Sequence, residues 1–195
     1  MTHRLMVLFA AMVLGVSSTS TSWAQDPAIK LKLTLEDSPR VGHVAPALTL
    51  PYATAEGLGP ADQPFALTKE LGRVVVIAFY PGDFTPGCTA EWRTFRDRAD
   101  TLFGAGVIVV GISRDSLESH RRFAQELKLP FKLLSDPDLA VARRYAALDG
   151  SRAKRVVVVV GRDGRVRFVD STFSAVDPES YAHLAAAVAA AKETP

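Results

Sequence analysis

The chain has 195 residues, of which 48% are hydrophobic and 23% charged, the balance of one globular domain with a filled core rather than of a disordered or membrane-spanning chain. Its formal net charge is +2 and its arginines are scattered, so there is no electrostatic footprint for nucleic acid. One cysteine, Cys88, rules out an internal disulfide, and stability must come from packing.

Taken in chain order, Met1–Arg4 carries one positive charge, Leu5–Val16 is apolar, and Ser22-Trp23-Ala24 places small residues before Gln25. That is the layout of a secretory signal peptide, here residues 1–24 with cleavage after Ala24, and it implies export, in a bacterium to the periplasm. The apolar run falls short of the roughly 20 residues that span a bilayer, which argues against a retained anchor. Residues 25–40 are mixed and polar, a loosely ordered leader, and the folded domain is expected over 41–195. Ala45–Pro51 and Phe65–Leu67 read as short strands. Arg73–Tyr80 is a β-branched and aromatic run, the mark of a strand buried on both faces.

After a loop over Gly82–Gly87, apolar residues at Trp92, Phe95, Ala99, Leu102 and Phe103 predict a helix from Cys88 to Phe103, stopped by Gly104. Val107–Ile112 is a second buried strand. Asp115-Ser-Leu-Glu118 has the form of a capping box and opens a helix to about Leu127, followed by a strand over Phe131–Leu134. Asp136-Pro137 offers an N-cap and first-turn proline for a helix through about Tyr145. Arg155–Val160 and Val166–Val169 flank Asp163-Gly164, a hairpin signal, and Asp177-Pro178 opens an alanine-rich terminal helix. Strands that alternate with helices and finish in a hairpin describe an α/β fold with a mixed central sheet flanked by helices.

Phe79-Tyr-Pro-Gly-Asp-Phe-Thr-Pro-Gly-Cys88 puts the cysteine at a helix start just beyond the carboxyl end of a buried strand, the edge where open α/β sheets bind ligands. Unpaired N–H groups and the helix dipole there favour a negative charge on sulfur. An unpaired cysteine is more often an inert core residue, but prolines, glycines and an aspartate crowded before Cys88 make a shaped, surface-presenting loop. Cys88 is therefore expected to be a thiolate within reach of solvent.

Pro81-x-x-x-Thr85-x-x-Cys88 resembles the active-site motif of the peroxiredoxin family, and the surrounding residues look like its bacterioferritin-comigratory, or Q-type, group. The likeness runs from about Val41 to Ala190 and includes Leu133-Leu-Ser-Asp136, Arg155 before an apolar strand, and Asp163-Gly164. It implies a thioredoxin-like fold and a thiol-dependent peroxidase acting on hydrogen peroxide and organic hydroperoxides, with Cys88 as the attacking thiol. It further implies that the Thr85 hydroxyl bonds the peroxide, Pro81 shields the thiolate, and Arg155 holds the thiolate and polarises the peroxide. Thr85 has helix N-capping as a competing task, Glu91 reads as a first-turn carboxylate of secondary interest, and Tyr80 as core with a polar tip towards the pocket.

The chain departs from the Q-type pattern at the resolving cysteine, with Arg93 or Ala142 where relatives carry one. A one-cysteine cycle follows, in which the sulfenic acid is reduced by an external thiol, either glutathione, another small thiol or a thioredoxin-like protein. The resemblance leans towards a monomer or weak dimer. An exported thiol-disulfide oxidoreductase is the rival on the same fold, but Thr85 stands where its Cys-x-x-Cys pair needs a cysteine. A non-catalytic binding protein is the other alternative. No cofactor or metal is expected, since one cysteine and scattered His43, His120 and His183 show no ligand spacing, and His120, between Ser119 and Arg121, is expected on the surface.

Overall fold

A computed structural model describes residues 38–194. The signal peptide and most of the leader lie outside these residues. The chain forms β1 (Thr49–Leu50), β2 (Tyr52–Ala53), β3 (Phe65–Ala66), a 3-10 turn at Leu67–Glu70, β4 (Val75–Phe79), α1 (Pro86–Asp97), α2 (Ala99–Leu102), β5 (Ile108–Ser113), α3 (Leu117–Leu127) and β6 (Lys132–Ser135). It continues through α4 (Ala140–Arg144), β7 (Leu148–Asp149), β8 (Arg152–Ala153), β9 (Val156–Val160), β10 (Val166–Asp170) and α5 (Pro178–Glu193).

The main sheet has six strands in the order β10-β9-β4-β5-β6-β2. β4, β5 and β6 run parallel, whereas β9 lies antiparallel to β4, and β10 to β9, so the sheet is mixed as expected. Central strands covered on both faces have no solvent side for a polar residue, which explains why β4 and β9 are apolar throughout. Successive side chains go to opposite faces. Val74, Val76, Ala78 and Tyr80 join Val157 and Val159 in a core with α1, α2, α3 and α5, while Val75, Ile77 and Phe79 join Val156, Val158 and Val160 in a second core with α4 and the first strands. Tyr80 thereby points to the α1 side, where Cys88 lies.

Local signals were used in modified form. The helix expected from Cys88 to Phe103 starts at Pro86 and breaks at Arg98, whose φ of −113° and ψ of 18° leave the helical region; the break brings Phe103 back against Phe95, ring centroids 5.4 Å apart. Gly104 ends the segment at φ +65° as its position required. The capping box is displaced by one residue: Ser116 caps α3 by accepting from Ser119 N–H at 3.2 Å, because the Asp115 carboxylate is taken by Ser113 Oγ at 2.6 Å and Asp83 N–H at 3.0 Å. Asp136 does not sit at the cap of α4 either, since the helix starts at Ala140, yet its carboxylate still accepts the first-turn N–H groups of Val141 and Ala142. Asp177 caps α5 directly, with Pro178 first in the helix. Of the expected Ala45–Pro51 strand only Thr49–Leu50 pairs, with Ala66 and Phe65, and Leu67 belongs to the 3-10 turn.

Candidate active site

β4 ends at Phe79, and the Tyr80 N–H still donates to the Ile112 carbonyl at 3.1 Å, so the chain leaves the sheet at half-buried Pro81. The loop that follows reverses into α1 within five residues. Phe84 holds it there at φ +58°, a left-handed conformation that a bulky residue rarely adopts; the residue is 44% exposed and its ring is set edge-on to Phe123. Thr85 occupies the N-cap position, but its side chain makes no cap bond; the hydroxyl donates to the Gly82 carbonyl at 3.2 Å, inside the loop. Pro86 is the first helical residue, where a missing N–H costs nothing, and Cys88 is the third.

The first-turn N–H groups of Gly87 and Cys88 have no partner four residues back in the helix, so they present partial positive charge beside the sulfur. A second source of positive charge comes from 67 residues away. Arg155, the last residue before β9, donates from Nη2 to Cys88 Sγ at 3.6 Å and from Nη1 to Glu91 Oε2. Gly87 makes room for this reach: a Cβ there would stand 3.2 Å from Arg155 Nη2. Glu91 is fully buried, and its Oε1 has no partner among the described residues, so the carboxylate is committed to Arg155 alone. Cys88, Glu91, Trp92 and Phe95 form the inward stripe of α1 at spacings of three and four.

Four expectations change here. Cys88 is not in reach of solvent in this conformation but 0% exposed, because third place in α1 puts it on that inward stripe. Glu91 is no incidental first-turn carboxylate; it orients the guanidinium. Thr85 braces the loop instead of capping the helix. His120 is not on the surface but wholly buried, on the stripe of α3 that also carries Phe123, Ala124 and Leu127.

Behind the loop lies a polar cluster assembled from the end of β4, the loop itself and α3. Tyr80 Oη donates to Asp83 Oδ1 at 2.7 Å, Ser119 Oγ donates to Asp83 Oδ2 at 2.7 Å, and His120 Nδ1 lies 3.0 Å from Oδ2. Burial, and next the charge of Asp83, push the Tyr80 hydroxyl well above its usual range, so it remains a donor. The tip of Tyr80 therefore serves the loop and not an open pocket. Among the described residues no three His, Cys, Asp or Glu side chains gather so as to hold a metal ion.

Residues 41–169 match the AhpC/TSA family. The chain belongs to that family. This AhpC/TSA chain is 44% identical over 110 residues to the chloroplastic peroxiredoxin Q of Sedum lineare, a stretch that covers 55% of the chain and 59% of that protein's length. It superimposes on the peroxidoxin BcpB of Mycobacterium tuberculosis with a TM-score of 0.65 and 30% identity, covering 78% of this chain and 97% of that one. The bacterioferritin comigratory protein of Xanthomonas campestris gives 0.60 and 29%, covering 73% and 92%. The mixed sheet flanked by helices is thus the thioredoxin-like fold of the peroxiredoxins. Of the residues singled out in the sequence, the family fold brings Cys88 and Arg155 into contact, keeps Thr85 and Pro81 in the loop between β4 and α1, and joins Glu91 to Arg155.

Proposed function

We propose that this AhpC/TSA chain is a thiol-dependent peroxidase in which Cys88 attacks hydrogen peroxide and organic hydroperoxides. The single observation that carries the reading is the Arg155 guanidinium on the Cys88 sulfur at the first turn of α1. A cation and two helix-terminal N–H groups gather at one sulfur, and such donors suit a peroxide oxygen on which charge develops. Alkyl peroxide reduction is an activity of the Xanthomonas campestris bacterioferritin comigratory protein, which supports organic substrates here.

In the step proposed, the sulfur lone pair forms an S–O bond to the terminal, hydrogen-bearing oxygen while the O–O bond breaks and its electrons leave with the alkoxide or hydroxide. The leaving oxygen takes a proton from solvent, and Cys88 becomes a sulfenic acid. Arg155 follows the charge as it moves from sulfur to the leaving oxygen, Thr85 turns its hydroxyl from the Gly82 carbonyl to the peroxide, and Pro81 keeps water from the sulfur. Since the sulfur is buried, the exposed run Phe84–Gly87 gives way to admit the peroxide. With no second cysteine, an external thiol condenses with the sulfenic acid, releasing water, and a second equivalent frees Cys88 as the disulfide of the reductant leaves. That reductant is a thioredoxin-like protein, glutathione or another small thiol, and the enzyme works as a monomer or weak dimer. Residues 1–24 are proposed to direct export to the periplasm, which the N-terminal sequence of the secreted protein checks.

Peroxide consumption by the mature protein with a panel of thiols, compared with Cys88→Ser, tests the proposal. Turnover that depends on thiol and vanishes in the variant is expected. Undiminished turnover in Cys88→Ser overturns it.

A further inference from the structure

Asp83 sits two residues before Thr85 and five before Cys88, in the loop that shapes the active site. Its side chain is 1% exposed and that of His120 0% exposed, so a carboxylate and an imidazole meet out of water directly behind that loop. Oxygen atoms face both ring nitrogens. Nε2 faces the Leu134 carbonyl at 3.2 Å, and Nδ1 faces both Asp83 oxygens, at 3.2 Å and 3.0 Å. Carbonyl and carboxylate oxygens accept, so each ring nitrogen needs a hydrogen, which only the imidazolium has. The Tyr80 hydroxyl cannot substitute as the donor to Nδ1: its one proton goes to Asp83 at 2.7 Å, and Nδ1 is farther, at 3.3 Å. The Tyr80 and Ser119 hydroxyls donate to the two Asp83 oxygens, which therefore act as acceptors towards the cluster.

We infer that Asp83 and His120 form a buried ion pair that acts as a positioning device for the active-site loop, so that both residues support peroxide reduction without touching the peroxide. The pair gathers Tyr80 at the end of β4, Asp83 in the loop, Ser119 and His120 in α3, and Leu134 in β6 around one carboxylate and one ring. The Asp83 N–H is tied as well, to the Asp115 carboxylate at 3.0 Å. A second observation gives this anchoring a purpose. Phe84, the next residue, is held at φ +58°, and such a conformation persists only where its surroundings over-determine it. With Asp83 fixed on one side and α1 starting on the other, the loop has one shape, which sets where the Thr85 hydroxyl and the first-turn N–H groups stand relative to the Cys88 sulfur. Removing one member of the pair leaves a buried charge without its counter-charge, and the loop relaxes to solvate it.

This role rests on the peroxidase reading, but part of its test does not. In the full chain labelled with nitrogen-15 histidine, the His120 ring is expected to show two N–H protons and the nitrogen shifts of an imidazolium at neutral pH. A single N–H on that ring overturns the pair whether or not the protein reduces peroxide. The second measurement compares the reaction of Cys88 with hydrogen peroxide and with iodoacetamide, which needs no oriented hydroxyl. His120→Gln should lower kcat/KM for peroxide by roughly 10- to 100-fold, the scale of a small misplacement of reacting groups, with alkylation unchanged or faster. The double variant Asp83→Asn, His120→Gln restores neutrality to the cluster and is expected to be no slower than His120→Gln alone. Peroxide and iodoacetamide rates that fall together, an unchanged peroxide rate, or losses that multiply in the double variant would each overturn the positioning role. If Cys88→Ser retains full turnover, the function fails while the ring signature still decides the ion pair.

Discussion

Replacing Arg155 with lysine keeps the positive charge and removes the geometry. In the native site Nη1 is committed to Glu91 Oε2 while Nη2 reaches Cys88 Sγ at 3.6 Å, two contacts from one rigid fork. A lysine ammonium is a point charge on a flexible stem, and paired with a fully buried carboxylate it has no second nitrogen for the sulfur. The loss is therefore one charge-assisted hydrogen bond, worth about 1.5–3 kcal/mol. Arg155 is 17% exposed, which argues for the lower half of that range, or about 10- to 50-fold in rate at ~1.4 kcal/mol per decade. Trp92 lies one turn after Cys88 on the same stripe, so its fluorescence in a rapid-mixing experiment with hydrogen peroxide reports the oxidation directly. A rate for Arg155→Lys equal to that of the native chain would refute the claim that the two-pronged contact stabilises the transition state.

Glu91→Ala strips Arg155 of its only ion-pair partner among the described residues; with the guanidinium partly solvated, the loss should be about 2 kcal/mol, below the ~3–5 expected of a wholly buried pair, read by urea unfolding. Gly111→Ala in β5 would place a Cβ 2.3 Å from Trp92 Cζ2 and 2.7 Å from Leu133 Cδ2, so overpacking should cost about 1–3 kcal/mol and slow peroxide reduction by shifting α1. Tyr145 donates to the Pro46 carbonyl at 2.7 Å, and burial pushes its hydroxyl well above the usual range. Above about pH 10 the unfolded chain releases that proton while the folded chain keeps it, so this group's stabilisation is present at neutral pH and is lost as pH rises. Tyr145→Phe should cost about 1 kcal/mol at neutral pH and flatten the alkaline fall in stability, measured by urea midpoints across pH; an unchanged alkaline slope would contradict it.

The parts of the site that the sequence exposed were those carried by contiguous residues. A β-branched run is buried because no side of it is polar, and a proline, threonine and cysteine after it can only be a loop and a helix start. Contacts across 64 or more residues, such as Arg155 with Glu91, depend on how β9 is laid beside β4, which no local spacing reports. Yet two misjudged residues carried a usable signal. His120 recurs with Phe123, Ala124 and Leu127, and Glu91 with Cys88, Trp92 and Phe95, each at the spacing of one helix face. A polar residue on such a stripe is buried and must find a partner, and reading the stripes strictly would have predicted a counter-charge for both. The same logic would have placed Cys88 under cover. The one capping box failed differently: Asp115 had the right chemistry for a cap and a better use inside the fold, holding Ser113 and the Asp83 backbone.

The central claim is that the Cys88 sulfur itself attacks the peroxide and becomes a sulfenic acid. The most direct measurement treats the reduced protein with one equivalent of hydrogen peroxide in the absence of thiol, adds a sulfenic-acid trap, and weighs the peptide that contains Cys88. The account predicts the mass of the trap on that peptide within seconds of mixing. A peptide that keeps its free thiol while the peroxide persists would contradict it.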